Sequence, residues 1–324
     1  MLKGTVTKST GSWYNVLLDE PTPEDSRELR CRVAGKFRLD ELNLTNPIAV
    51  GDRVSVEVET NNDEETGAIR GIEDRTNYVV RQSPRRKHDL HLLASNVDQA
   101  TLITTIIDPD VKLGFIDRFL LMTEPFGIPT VIVVNKADIY GEDEVETFRV
   151  IQDIYTDIGY TVLLVSAASG QGIEELRELL QGKRTLLSGQ SGVGKSTLVN
   201  AVEPGLELRT GELSDYTGKG QHTTTFAELF QLSFGGELID TPGIKTLGFN
   251  YLKPQDVAHN FREIFALSEE CRFGGSCLHK DEPGCAVKES VEAGDDRVTD
   301  LRYYSYLQLL EEVEAQNYWE RRKV

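Results

Sequence analysis

The chain is short of the features that define several protein classes. Four cysteines in 324 residues are too few for a disulfide framework. No apolar run approaches the roughly 18 residues that cross a bilayer, so no membrane is expected. Met1-Leu2-Lys3-Gly4-Thr5 enters a strand-like pattern without a signal-peptide core, which makes the cytoplasm the expected compartment. Basic side chains are outnumbered 35 to 53, and the formal charge of −18 weighs against a generic nucleic-acid binder. Internal repeats and low-complexity tracts are absent. What remains, 39% apolar and 27% charged residues, is the composition of a globular protein long enough for two or three domains, not of a disordered, collagenous or coiled-coil chain.

Local clusters depart from these totals. Cys271, Cys277 and Cys285 crowd together with His279, whereas Cys31 stands alone in a strand-like stretch as a small core residue. In a reducing compartment such clustering points to a metal rather than to bridges. Arg30, Arg32, Lys36 and Arg38 form one basic stretch without an intervening acid, and Arg81, Arg85, Arg86 and Lys87 a second, expected as a linker. The tail Arg321-Arg322-Lys323 is either a nucleic-acid contact or a frayed end.

Three regions follow from the periodicity. Residues 4–8, 12–19, 29–33, 53–59 and 68–73 alternate or carry β-branched side chains between turn signals, which predicts a small β-barrel in residues 1–75. An OB-fold and an SH3-like barrel both fit that pattern. In residues 76–247, short apolar runs at 100–107, 130–134, 161–165, 185–188 and 237–240 alternate with helical stretches at 115–126, 143–157 and 172–180. This rhythm predicts a parallel sheet with helices on both faces and a ligand beyond the carboxyl ends of the strands. Residues 248–324 read as a mainly helical domain around the Cys/His cluster, with Val257, Phe261, Ile264, Phe265, Tyr303, Tyr306, Leu307, Leu309 and Leu310 as packing positions.

The chemistry sits in the middle region. Gly189-Gln190-Ser191-Gly192-Val193-Gly194-Lys195-Ser196, with Thr197 behind it, follows a strand and opens a helix as a phosphate-binding loop does. Lys195 would reach the β- and γ-phosphates, and the Ser196 hydroxyl would ligate magnesium. Asn135-Lys136-Ala137-Asp138 also follows a strand. An aspartate there accepts from N1–H and the exocyclic amine of guanine, donors that adenine lacks in that arrangement. Asn135 would hold the loop and the Lys136 stem would cover the base. Ser166-Ala167 would complete the pocket through a backbone N–H to O6. Asp240-Thr241-Pro242-Gly243 ends another strand, with Asp240 reaching magnesium through water and the Gly243 N–H the γ-phosphate. Between these motifs lies Gly218-Lys219-Gly220-Gln221-His222-Thr223-Thr224-Thr225, one of whose threonines, Thr224 by preference, would be a magnesium ligand.

These motifs form a guanine-nucleotide switch domain in an unusual order, with the base-recognition motifs ahead of the phosphate loop. A circular permutation accounts for it. The chain thereby resembles the circularly permuted GTPases of the RsgA (YjeQ) family over nearly its whole length. The resemblance implies an N-terminal OB-fold, a permuted P-loop GTPase domain and a C-terminal zinc-binding domain. It also implies a weak GTPase that acts in late maturation of the small ribosomal subunit and is stimulated by it. The position that carries glutamine in Ras-like enzymes is Ile244, which cannot orient water. His222 is the candidate replacement, since the family has a histidine before its threonines; otherwise it is an ordinary loop histidine. The resemblance makes Cys271, Cys277, His279 and Cys285 a structural zinc site with all four positions filled by protein. It makes Arg30, Arg32, Lys36 and Arg38 contacts to ribosomal RNA. GTP and GDP, the small subunit and its RNA are the implied partners of a chain that nothing requires to be more than a monomer. A metabolic NTPase and an RNA-binding module with a vestigial nucleotide domain are the competing readings; Asp138 opposes the first, and intact Lys195, Ser196 and Asp240 the second.

Overall fold

The computed structural model describes residues 1–34, 46–61, 64–82, 90–206, 208, 227–241, 248–249 and 251–321. The N-terminal strands are β1 (Leu2–Ser9), β2 (Tyr14–Leu18), β3 (Glu28–Val33), β4 (Arg53–Asn61) and β5 (Glu64–Ile72). Their order is β1-β2-β3-β5-β4, and β4 pairs back onto β1, closing the OB-like barrel. Alternation with a period of two sends Tyr14, Val16 and Leu18 of β2 and Leu29 and Cys31 of β3 inward, while Glu28, Arg30 and Arg32 stay exposed. Cys31 is the core residue the sequence implies, and burial pushes its thiol up to about 12. Gly67 of β5 faces it so closely that a Cβ there would stand 2.4 Å from Cys31 Sγ. Only glycine fits that rung.

Two strands, β6 (Tyr78–Gln82) and β7 (Leu90–Ser95), pair as a separate antiparallel hairpin. This corrects the linker expected at residues 81–87, because Arg81 is a β6 residue opposite His91. Arg85, Arg86 and Lys87 lie outside the described residues.

The central sheet contains β8 (Gln99–Thr104), β9 (Thr130–Val134), β10 (Thr161–Leu164), β11 (Arg184–Gly189), β12 (Glu228–Gln231) and β13 (Glu237–Asp240). The order is β10-β9-β8-β11-β13-β12, parallel except for β12. Helices α1 (Leu113–Thr123) and α2 (Glu142–Asp157) cover one face with Leu102, Ile132, Val134 and Leu186. Helices α3 (Ile173–Leu180) and α4 (Lys195–Val202) cover the other with Ile103, Val131, Val133 and Leu187. Buried apolar residues on both sides of each strand explain the continuous apolar runs of the sequence. Helix α2 starts where the Glu144 carboxylate accepts the Gly141 N–H at 2.8 Å, with Glu142, Asp143 and Glu144 in the positive first turn. Strand β12 also meets β1 through the pair Lys8–Glu228, so barrel and central sheet form one eleven-stranded sheet.

The C-terminal helices are α5 (Pro254–His259), α6 (Arg262–Ser268), α7 (Ala286–Ala293) and α8 (Asp300–Arg321). Tyr306, Leu309, Leu310 and Val313 of α8 recur at helical spacing and join Phe261, Ile264 and the α1 side chains in one buried cluster. Among the described residues, no helix is long and apolar enough to cross a membrane.

Candidate nucleotide and metal sites

The nucleotide motifs converge at the carboxyl ends of the parallel strands. β11 ends at Gly189 and α4 begins at Lys195, with the phosphate-loop sequence between them. Gly192 and Gly194 take φ of 87° and 81°, a left-handed backbone that favours glycine. At Gly194 a Cβ would also strike Asn135 Nδ2 at 2.6 Å. Glycine at both positions lets the loop hold this backbone close against Asn135, ahead of a helix N-terminus of the kind that binds anions. Gln190, Ser196 and Lys195 are half-buried there, Ser191, Gly192 and Thr197 exposed, and Val193 buried.

Asn135 ties the base-recognition motif to this loop. It is buried, its amide donates to Val193 O at 2.9 Å, and its Oδ1 accepts the Ala167 N–H at 3.2 Å. One side chain thus spans three separate motifs. The Ser166 hydroxyl donates to Asp138 Oδ1 at 2.5 Å and accepts the Ser169 N–H at 3.0 Å, so the Asp138 carboxylate has a fixed orientation. The Ala167 N–H, expected to face O6 of a base, is directed to Asn135 here. The Lys136 ammonium reaches the carbonyl and the carboxylate of Asp108.

On the phosphate side, Lys195 pairs with Asp240 at the end of β13. Burial pushes the Asp240 carboxyl up from its ordinary value, and the Lys195 ammonium pulls against that shift. Asp240 and Ser196 offer the carboxylate and hydroxyl oxygens that magnesium takes. Gly243, His222 and Thr224 lie outside the described residues, as do Lys36 and Arg38. Arg30 is exposed and lies 4.4 Å from the Trp13 ring centroid, and Arg32 is exposed and pairs with Glu59 at 3.3 Å.

The second site is buried in the C-terminal region. Ligand atoms of Cys271, Cys277, His279 and Cys285 lie within 4.8 Å of one another, and all four residues are buried. His279 Nδ1 is 3.6 Å from Cys271 Sγ and 3.4 Å from Cys285 Sγ, and the two sulfurs are 3.9 Å apart. A tetrahedral zinc with ordinary bond lengths sets sulfur–sulfur at about 3.8 Å and sulfur–nitrogen at about 3.5 Å. The donor set and its spacing fit a metal ion of that kind. Burial pushes the Cys277 and Cys285 thiols up and the His279 imidazole down, so an ion would displace thiol protons on entering.

The loop carrying His279 is held from two sides. Glu282 accepts the N–H groups of Leu278 and Lys280 at 2.9 Å each, and Tyr303 and Tyr306 of α8 donate to the carbonyls of His279 and Leu278 at 2.6 Å each. The sequence marks both tyrosines as packing positions; their hydroxyl contacts have no signature of their own. Asp108 and Tyr140 are likewise unmarked in sequence, because neither belongs to a nucleotide motif.

Comparison with known proteins agrees with this geometry. Residues 72–250 match the family described as RsgA GTPase, and residues 3–69 the RsgA N-terminal domain. The small ribosomal subunit biogenesis GTPase RsgA of Flavobacterium psychrophilum is 47% identical, covering 96% of this chain and 93% of that protein. RsgA 2 of Bacteroides thetaiotaomicron is 45% identical over 98% of this chain and 99% of its own length. Among solved structures, YjeQ from Thermotoga maritima superposes with a TM-score of 0.75 at 35% identity, covering 96% of this chain and 98% of that one. YloQ, a circularly permuted GTPase, gives 0.70 at 28% identity, covering 98% of this chain and 96% of its own. A closed N-terminal barrel, permuted nucleotide motifs and matches that run nearly end to end make this chain a member of the RsgA family.

Proposed function

We propose that this protein hydrolyses GTP during late maturation of the small ribosomal subunit, that the subunit stimulates hydrolysis, and that hydrolysis gates release. The observation that carries the guanine assignment is the bridge made by Asn135 to Val193 and Ala167, beside an Asp138 carboxylate oriented by Ser166. That carboxylate accepts the two edge donors of guanine, with Lys136 covering the base and Ala167 lining it. Residues Gly189 to Thr197 hold the phosphates, with Lys195 exchanging Asp240 for phosphate oxygens. Ser196, Asp240 and Thr224 would hold magnesium, which supplies charge neutralisation at the phosphates, and the Gly243 N–H meets the γ-phosphate. His222 places the attacking water. Cys271, Cys277, His279 and Cys285 hold one structural zinc.

The same reading assigns residues 1–75 to the RNA-binding barrel, 76–247 to the GTPase domain and 248–324 to the zinc domain, in a cytoplasmic monomer. Arg30 stacked on Trp13, with Arg32, Lys36 and Arg38, supports contact with ribosomal RNA. Glu28 and Glu59 share that face, so the contact rests on the local arginines and not on the −18 total. Phosphate release from GTP and from ATP, with and without purified small or large subunits, tests the reading. GTP turnover that rises many-fold with small subunits alone is the expected result. Turnover indifferent to ribosomes removes the assembly role, and equal ATP turnover removes the guanine assignment.

A further inference from the structure

The loop between β8 and α1, residues 105–111, belongs to none of the nucleotide motifs, yet it touches two of them. Tyr140 lies five residues beyond Asn135, and its hydroxyl donates to the Asn135 carbonyl and accepts the Ile106 N–H at 2.8 Å. Lys136 extends the other way, from the base-recognition loop to the carbonyl and carboxylate of Asp108. Pro109 of the same loop faces the phosphate loop: a Cβ at Gly192 would stand 3.5 Å from Pro109 Cδ. The loop is fastened internally, with the Thr105 hydroxyl on Pro109 O at 2.7 Å and the Val111 N–H on Ile106 O at 2.9 Å.

Two features distinguish this from ordinary loop packing. Lys136 and Asp108 take φ of 69° and 51°, a left-handed backbone that non-glycine residues hold only where surrounding contacts enforce it. Both strained residues are joined through one side chain, with Tyr140 as the brace beside them. In addition, the Asp108 side chain is 82% exposed and that of Lys136 only 23%. Such an exposed ion pair adds little to stability, so its effect is on where the lysine stem lies. With the ammonium anchored at its far end, the four-carbon stem is stretched between two loops and presents a fixed apolar strip.

We propose that Tyr140 and Asp108 are positioning residues for guanine recognition: Tyr140 sets the Asn135–Asp138 loop at its height above the phosphate loop, and Asp108 stretches Lys136 flat across the base. This rests on the guanine-nucleotide reading above. Neither residue touches the reacting phosphate, so their removal falls on nucleotide affinity and leaves the chemical step alone.

The experiment measures affinity for GDP and for ADP, then KM and kcat for GTP, in the full chain and in Tyr140→Phe, Asp108→Ala and Asp108→Asn. Wild-type protein that fails to prefer GDP over ADP overturns the nucleotide reading itself. With that preference in place, Tyr140→Phe is expected to raise the GDP dissociation constant and the KM for GTP roughly tenfold, because two hydrogen bonds are lost and both partners are orphaned. Its kcat at saturating GTP stays within about twofold. Asp108→Ala raises the dissociation constant about threefold at low salt and less at 0.5 M salt, where an exposed charge pair is screened. Asp108→Asn keeps an oxygen acceptor and recovers part of the loss. Unchanged affinity in Tyr140→Phe, or a fall in kcat at unchanged KM, overturns the proposal. Should Tyr140→Phe melt at a lower temperature than wild type, the Asp108 pair decides: equal affinities for alanine and asparagine, or a loss indifferent to salt, overturn it.

Discussion

The guanine reading proposed for Asp138 needs a carboxylate whose oxygens point the right way, and the Ser166 hydroxyl donates to one of them at 2.5 Å. Replacing Asp138 by asparagine turns one acceptor into a donor, which conflicts with the guanine edge and suits xanthine. Asp138→Asn is therefore expected to weaken GTP binding at least 100-fold, as loss of hydrogen bonds to a charged group implies. XTP binding should rise in the same titration; a variant that binds both nucleotides as wild type does would remove the assignment. The hairpin offers a second test at this scale. Burial, with Arg81 opposite, lowers the His91 imidazole to about 4 from its ordinary value near 6.5. The unfolded chain therefore binds the extra proton first, and stability present above pH 6.5 declines as the pH falls toward 4. His91→Gln should flatten that part of a melting-temperature profile, measured between pH 4 and 7.

Legibility in the sequence followed how much of an element's role its own residues carry. The phosphate loop and Asn135–Asp138 were readable because their spacing is the chemistry, whereas the Cys/His cluster has uncommon spacings and its zinc reading came from the family resemblance. The barrel core was readable because alternation in β2 and β3 records which side is buried. Strands β6 and β7 were hidden by Pro84 and the basic residues between them, which look like a linker although the flanks pair. Strand β12 was hidden because Glu228–Gln231 is short and half polar; its place is dictated by β13 and β1. Asp108 meets Lys136 across 28 residues and Tyr140 meets Ile106 across 34, and no local pattern encodes those contacts. The metal loop invites a test at element scale. His279 holds φ of 56° while Glu282 and two α8 tyrosines fix its neighbours. If the cluster holds the proposed zinc, a strong chelator, or Cys277→Ser, is expected to expose the loop and the N-terminal half of α8 to hydrogen exchange while nucleotide binding persists. Protection unchanged after metal removal would show that the buried cluster holds itself together.

At the scale of the molecule, the C-terminal helices meet the GTPase face through a shared apolar cluster, one buried charge cluster and two part-exposed ion pairs. Arg302 of α8 meets Asp117 of α1 at 2.5 Å and Glu263 of α6 at 2.7 Å, and the Tyr155 hydroxyl donates to the same Asp117 at 2.6 Å. Arg118 pairs with Glu312, and Arg262 donates to Glu124 at 2.7 Å and to the Gly159 carbonyl at 2.9 Å. Arg302→Ala strands two buried carboxylates, so a loss of about 3–5 kcal/mol in unfolding free energy is expected in denaturant titrations. Arg302→Met should cost nearly as much, since it leaves the same acids unpaired. The barrel is attached differently. In the ladder, Glu228 pairs with Lys8 of β1 on one side and with Asp240 on the other. The strand end that carries the phosphate-side carboxylate is thus one rung away from the strand that opens the N-terminal barrel. A signal along that route would travel as a shift of main-chain hydrogen bonds, not as a relay of side chains. Alanine scanning would pass over such a wire without marking it, whereas proline at position 228, which removes the N–H, would cut it.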